Sequence, residues 1–229
     1  MSTEMSTEST LTVVFDMDGV LLDTEKIARR SWKAQEEAFH IRDLEKVLNA
    51  CTGVNADESR RILLTTQGAD FPYEAFNEAT EKTFMEIIRR EGVPVKPWAK
   101  EILRRLKETG AATALASSTD RRSVTWELRD AGLLQYLDQL ICGDMIKASK
   151  PAPDIYLAAC RVMKSDPAKT FAVEDSYNGV RSARSAGMRV VMIPDLQPAT
   201  EEMRNLADAV LPDLRAAWEY LSAQKALRK

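Results

Sequence analysis

The chain has 229 residues, 45% of them hydrophobic and 29% charged, which is the composition of an ordinary soluble globular protein with room for one substantial domain and a smaller one. A formal net charge of −3 gives no electrostatic case for nucleic acid as a partner. The arginine pairs, such as Arg60-Arg61 and Arg104-Arg105, sit among acids and read as solvated helix faces. The three cysteines, Cys51, Cys142 and Cys160, are scattered and form no CxxC pair, which excludes a zinc ribbon or a disulfide framework and suits a reduced cytoplasmic protein. No apolar run reaches the roughly 20 residues of a membrane span.

Residues 1–10 are polar, contain MSTE twice, and lack the charged start and apolar centre of a signal peptide. They are expected to form a disordered tail. Leu11 to Phe15 is an apolar run that predicts a buried strand. It ends in Asp16 and Asp18, spaced by one residue, and then Gly19. Side chains two apart on an extended chain point the same way, so these carboxylates can share a cation or divide nucleophile and acid/base work. A glycine after them suits a turn with an unusual backbone angle.

From residue 25 the periodicity becomes helical. Ala28, Trp32, Gln35 and Phe39 share a face, Asn55 and Glu58 form a capping box for a helix through Leu64, and Pro72 and Gly92 bracket a helix with Phe76, Ala79, Thr83, Phe84, Ile87 and Ile88 along one stripe. Strands and helices then alternate. Pro97 opens a helix carrying Trp98, Ile102, Leu103 and Leu106, and Thr113 to Ala116 is a strand ending in Ser117-Ser118-Thr119. Asp120 starts a helix that Gly132 stops, and Leu140 to Cys142 is a strand. Lys150 precedes Pro151-Ala152-Pro153 and a helix through Val162, and Phe171 to Val173 is a strand ending in Glu174-Asp175-Ser176. A helix from Tyr177 to Ala186, strands at Arg189 to Ile193 and Ala209 to Leu211, and a helix from Leu214 to Leu221 complete the chain. This alternation predicts an α/β fold, a doubly wound parallel sheet (11–24 and 93–229), interrupted by an all-helical insertion at 25–92.

Parallel strands end on one edge of a sheet, so Asp16, Asp18, Ser117, Glu174 and Asp175 should converge there, with Lys150 entering from a loop. Each piece alone has a plain structural reading. DxD could be a solvated turn, Ser117-Ser118-Thr119 a helix cap, Lys150 a surface lysine and Glu174-Asp175 an exposed loop. Together they make an oxygen-rich set with one ammonium, suited to Mg²⁺-assisted phosphoryl transfer. His40 is the lone histidine and falls in the insertion, and no GxxxxGK[ST] loop occurs, so a Ser-His-Asp triad and a P-loop find no support.

DMDGVLLDTE, the ASS of Ser117, the KPAPDIY of Lys150 and the ED of Glu174-Asp175 resemble, in order, the four motifs of the haloacid dehalogenase-like hydrolases, and most closely the branch holding β-phosphoglucomutase and small sugar-phosphate phosphatases. The resemblance implies the doubly wound core with a helical C1-type cap that closes over the site. It implies Asp16 as nucleophile forming an aspartyl-phosphate, Asp18 as general acid/base, Ser117 on a phosphoryl oxygen, and Lys150 neutralising charge. It implies Mg²⁺ held by Asp16, the Asp18 main-chain carbonyl and Asp175, with Glu174 binding directly or through water. Dehalogenases of the family lack the acid/base residue present here as Asp18. The mutases carry a cap histidine and a cap arginine at the positions matching Ala28 and Ala56, so a phosphatase acting on a small phosphorylated metabolite such as a sugar phosphate is the leading expectation. A hexose-phosphate mutase comes second and a non-catalytic binder of phosphometabolites third. Lys26, Arg29, Arg30 and Asn55 are candidate substrate contacts, and a monomer is the state implied by the branch.

Overall fold

A computed structural model describes residues 11–226. The tail expected at 1–10 lies outside the described residues. Six strands form one parallel sheet in the order β3-β2-β1-β4-β5-β6: β1 Thr12–Phe15, β2 Ala112–Ser117, β3 Gln139–Cys142, β4 Thr170–Glu174, β5 Arg189–Met192 and β6 Ala209–Val210. The chain runs outward from β1 through β2 to β3, then crosses back to place β4 on the other side of β1. Phe15 is therefore in register with Leu115 on one side and Val173 on the other. The strand order reverses beside β1, and the crevice at such a reversal is where open α/β sheets bind ligands.

Alternation along the strands separates two cores. Val13, Phe15, Leu115, Phe171 and Val173 face one way, against α5 (Ala99–Glu108), α6 (Arg121–Asp130) and α10 (Leu214–Ala226). Val14, Ala114, Ala116 and Ala172 face the other, against α7 (Asp154–Met163), α8 (Tyr177–Ser185) and α9 (Glu201–Leu206). The strands are short and almost wholly buried, as expected of a parallel sheet covered on both faces.

Between β1 and α5 the chain folds into four helices: α1 Glu25–Gln35, α2 Leu44–Cys51, α3 Ala56–Gln67 and α4 Tyr73–Glu91. Asn55 caps α3 as its spacing with Glu58 predicts, its Oδ1 accepting from the Glu58 N–H at 3.1 Å. These helices bury an apolar cluster of their own around Phe76, whose ring takes edge contacts from Trp32, Phe39 and Phe71. Three details differ from the sequence expectation. Helix α1 stops at Gln35, short of Phe39, and His40 turns the chain with φ of +50°. Helices α2 and α9 were not anticipated, being eight and six residues long and too short for periodicity to stand out. Trp98 precedes α5 in a left-handed conformation, with φ of +70°, and its ring lies under the guanidinium groups of Arg105 and Arg215.

The insertion touches the sheet domain through its 52–55 loop. Ser118 Oγ donates to the Gly53 carbonyl at 2.9 Å, Asn178 Nδ2 to the Thr52 carbonyl at 3.1 Å, and the Asn55 N–H to Ser149 Oγ at 2.8 Å. Because the cluster around Phe76 is separate from both sheet cores, Phe76→Ala should weaken the insertion selectively, by about 3–5 kcal/mol for deleting a buried Phe. Hydrogen exchange should accelerate at residues 25–91 while amides of β1, β2 and β4 keep their protection.

Candidate active site

The carboxyl ends of β1, β2 and β4 meet under the insertion. β1 stops because the chain turns at Asp16, whose N–H still bonds to the Val173 carbonyl at 3.0 Å. Gly19, at φ of +86°, bends the chain back so that its N–H reaches the Leu22 carbonyl. Any side chain at Gly19 would also collide with Asp175, since a Cβ would lie 2.2 Å from Oδ2. The glycine thus serves both the turn and the approach of the β4 loop to the β1 loop.

Lys150, 1% exposed, reaches in from the loop before α7. Its Nζ donates to Asp16 Oδ1 at 2.6 Å, to Glu174 Oε1 at 2.6 Å and to the Ala116 carbonyl at 3.1 Å. All three donor positions of the ammonium are used. Burial by itself would lower the lysine, but the two carboxylates outweigh it and hold the ammonium protonated above its usual range. Glu174 is fully buried, and its Oε1 also accepts from the Tyr156 hydroxyl at 2.6 Å. Its Oε2 accepts from the Ser176 hydroxyl and the Asp175 N–H at 3.3 and 3.2 Å. Gly179, on α8, leaves room for this carboxylate, because a Cβ there would sit 2.0 Å from it.

Asp18 is organised differently. Thr24 Oγ1 donates to its Oδ1 at 2.5 Å and Thr119 Oγ1 to its Oδ2 at 3.2 Å, with Ser117 Oγ at 3.5 Å. Burial raises the Asp18 carboxyl and these hydrogen bonds oppose the rise. Asp16 and Asp175 are driven well above the usual carboxylate range by burial. Lys150 counters this at Asp16, whereas at Asp175 the charges of Asp16 and Glu174 reinforce it. Against these carboxylates, Lys150 is the one ammonium that ion-pairs here among the described residues.

One oxygen each from Asp16, Glu174 and Asp175 lies within 4.8 Å of the others. Three crowded carboxylates, offering only oxygen and balanced by a single ammonium, suit a hard divalent cation. In front of them opens a cavity of about 380 Å³. The sheet domain supplies Asp16, Asp18, Thr24, Ser118, Thr119 and Asp175, and the insertion supplies Glu25, Ala28, Ser31 and Trp32 of α1, Cys51 to Val54 and Ala56, and part of α4.

All six residues singled out in the sequence therefore come to one sheet edge: Asp16, Lys150 and Glu174 in direct contact, Asp18 and Ser117 beside them, and Asp175 adjoining. Lys150 is as buried as the core, not a surface lysine. Of the candidate substrate contacts, the cations are engaged elsewhere. Arg29 pairs with Glu45 and Asn49, Arg30 grips Glu91 with both terminal nitrogens, and Lys26 pairs with Asp23. Asn55 is spent on the cap of α3. Sequence reasoning missed Thr24, Thr119, Tyr156 and Glu127. Thr24 and Tyr156 lie within the recognised motifs, as the T of DMDGVLLDTE and the last residue of KPAPDIY, and Thr119 follows ASS directly, so a hydroxyl beside the motif carboxylates was the available signal. Glu127 sits mid-helix, where nothing local distinguishes it.

Glu127, on α6, is 4% exposed and its Oε2 has no hydrogen-bond partner. Burial, then the charges of Asp18 and Asp120, push its carboxyl up to about 9 from 4.5. Between those values the unfolded chain has lost this proton while the folded chain still holds it, so this residue makes stability fall as pH rises through that window. Glu127→Gln removes the dependence. Thermal melts should show little gain over wild type at pH 4 and a clear gain at pH 8, at about 2–4 °C per kcal/mol for a chain of this size.

Residues 10–187 match the model of the haloacid dehalogenase-like hydrolases. A phosphorylated carbohydrates phosphatase of Thermotoga maritima is 32% identical over 77% of this chain and 81% of its own, and a β-phosphoglucomutase of Bacillus subtilis is 28% identical over 94% and 98%. The crystal structure of CbbY from Rhodobacter sphaeroides, in complex with phosphate, superposes with a TM-score of 0.75 at 27% identity, covering 89% of this chain and 94% of that one. The motif matches, the six-stranded sheet and these relatives agree: the chain belongs to the haloacid dehalogenase-like hydrolases, and phosphatases are among its relatives.

Proposed function

We propose that this hydrolase is a Mg²⁺-dependent phosphatase that cleaves a small phosphorylated metabolite, a sugar phosphate or similar polyol phosphate, through an aspartyl-phosphate on Asp16. The observation that carries the reading is the buried Asp16–Lys150–Glu174 set, with Asp175 and Asp18 beside it, opening into a cavity of metabolite size.

Lys150 holds Asp16 by Oδ1, leaving Oδ2 as the attacking oxygen. Attack on phosphorus forms the O–P bond of an aspartyl-phosphate and breaks the bond to the ester oxygen, which leaves as an alcohol with a proton from Asp18. Thr24 and Thr119 fix the Asp18 carboxyl, and burial raises its affinity for a proton, the direction a general acid needs. In the second half Asp18 takes a proton from water, the water oxygen bonds to phosphorus, and phosphate departs with Asp16 regenerated. Lys150 offsets negative charge in both halves. Ser117 Oγ accepts from the Thr119 N–H at 3.1 Å and donates to Asp18 Oδ2 across a long 3.5 Å, a bond its hydroxyl would exchange for one to a phosphoryl oxygen. Mg²⁺ would be held by Asp16 and Asp175 together with the Asp18 carbonyl, and would supply charge neutralisation at the phosphoryl group. Glu174 has both oxygens occupied by Lys150, Tyr156, Ser176 and the Asp175 N–H, so a water-mediated role fits it better than direct ligation. The insertion, residues 25–92, acts as the cap that excludes bulk water from the cavity.

Mutase chemistry must hold a bisphosphate and protect the phosphoenzyme. Ala28 and Ala56, at the positions matched to the mutase histidine and arginine, both line the cavity and offer neither a base nor a cation. Hydrolysis is the better-supported reading.

With Mg²⁺, the purified protein should release phosphate from a panel of sugar phosphates and polyol phosphates. Asp16→Asn should lower that release by on the order of 10⁴-fold or more while melting within a few degrees of wild type. Retained turnover would remove the covalent route, and isomerisation of glucose 1-phosphate without phosphate release would replace the phosphatase reading with the mutase. Asp175→Ala should raise the Mg²⁺ concentration needed for half-maximal rate at least about ten-fold; an unchanged metal requirement would dismiss it as a ligand.

A further inference from the structure

The cavity continues beyond the phosphoryl end, and the character of its walls narrows the substrate. Four further carboxyl groups line it: Glu25 from α1, Glu81 from α4, Asp120 at the cap of α6, and Glu127 from α6. Among the described residues no lysine, arginine or histidine lines it. Lys26, Arg29 and Arg30 of the neighbouring helix α1 are drawn off into pairs with Asp23, Glu45, Asn49 and Glu91. With no cation in these walls, a second phosphate or a carboxylate on the substrate would lose hydration without compensation, and Asp120, where burial is outweighed by hydrogen bonds at the start of α6 that hold its carboxyl below the usual range, would repel it.

Glu127 adds a positive requirement. Its Oε2 is buried in this wall without a partner. Buried polar atoms are nearly always satisfied, and a buried carboxyl oxygen left open in the wall of a ligand cavity marks a place where the ligand brings the partner. The neighbouring walls are neutral or weakly polar, with Ala28, Trp32, Asn77 and Thr80 facing the same space.

We propose that the substrate carries a single phosphate, that its remaining part is neutral or cationic, and that this part hydrogen-bonds to Glu127 through a hydroxyl or an ammonium. Glu127 is thereby a specificity-determining residue that touches the leaving group. The proposal rests on the phosphatase reading above and sharpens it. It also separates this chain from CbbY of Rhodobacter sphaeroides, a variant of which has been crystallised with xylulose 1,5-bisphosphate.

The test compares kcat/KM with Mg²⁺ across matched pairs: fructose 6-phosphate against fructose 1,6-bisphosphate, and glycerol 3-phosphate against 3-phosphoglycerate. Glucose 6-phosphate against glucosamine 6-phosphate tells a hydroxyl donor from an ammonium. p-Nitrophenyl phosphate serves as an ester whose leaving group has no donor. In each of the first two pairs the member without the second anion should be favoured by about ten-fold or more. Glu127→Leu should lower kcat/KM for the favoured hydroxylated or aminated ester about ten-fold further than it does for p-nitrophenyl phosphate, mainly through KM. Equal or better turnover of the bisphosphate or the phosphocarboxylate would overturn the proposal. So would an equal loss on every ester in a Glu127→Leu protein that folds. The substrate pairs decide the matter with wild-type enzyme even if that variant does not fold. If no ester is hydrolysed, p-nitrophenyl phosphate included, the phosphatase reading itself fails; if only the selectivity is wrong, this inference fails alone.

Discussion

A lysine ammonium buried between two carboxylates is the constraint around which the molecule is arranged. Lys150 holds Asp16 at the end of β1 to Glu174 at the end of β4, and uses its third hydrogen on the carbonyl of Ala116 in β2. It therefore ties together the three central strands at the edge where chemistry would occur. A buried ion pair is a poor source of net stability, because desolvation offsets most of the attraction, but breaking it strands a charge. Here a second cost is added, since Asp175 and Asp18 crowd the same space without an ion-pairing cation of their own among the described residues. The protein keeps an electrostatically unfavourable cluster where an active site needs one and surrounds it with well-packed apolar layers on both faces of the sheet.

The layout of the sheet makes this crowding possible. Because β1 lies between β2 and β4, three loops from distant parts of the chain open at one crevice. Short strands with small residues, such as Ala114, Ala116 and Ala172, let helices approach closely on the side of α7 and bring Tyr156 to Glu174. The insertion then covers the crevice through hydrogen bonds at residues 52–55 and through Ile27, Ile87 and Ile88, which pack against Trp126 of α6, while the cluster around Phe76 is held apart from the sheet cores. That division allows one part to be rigid where the carboxylates must be held, and another to shape the cavity that meets the rest of the substrate.

The cavity is asymmetric in charge. One cation, Lys150, is buried behind Asp16 and does not itself line the cavity, whose walls carry carboxyl groups and, among the described residues, no cation. The arginines of the insertion, which in the sequence look available to a substrate, are consumed by surface pairs. Selectivity in such a site arises from what the walls repel as well as from what they bind.

Much of this was legible in the sequence. Asp16 and Asp18 announce themselves by sitting two apart after an apolar strand, and β-strand periodicity obliges them to share a side. Glu174 and Asp175 are placed by the same logic at the end of another strand, and parallel alternation brings both pairs to one edge. Helix α3 is readable because its cap is a local hydrogen bond. What the sequence could not reveal depends on distance through space. Lys150 is singled out in the sequence by its motif, but its burial between residues 134 and 24 positions away along the chain is visible only in the fold. Helices α2 and α9 are stabilised by the clusters they join more than by their own few residues. The empty acceptor on Glu127 and the pairing of Arg29 and Arg30 are properties of neighbours in three dimensions. Local chemistry and periodicity thus determined the strands, most of the helices and the convergence of the carboxylates, while the tertiary structure alone decided which charges are neutralised and which remain open to the cavity, because charge compensation and burial are set by which distant residues the fold makes neighbours.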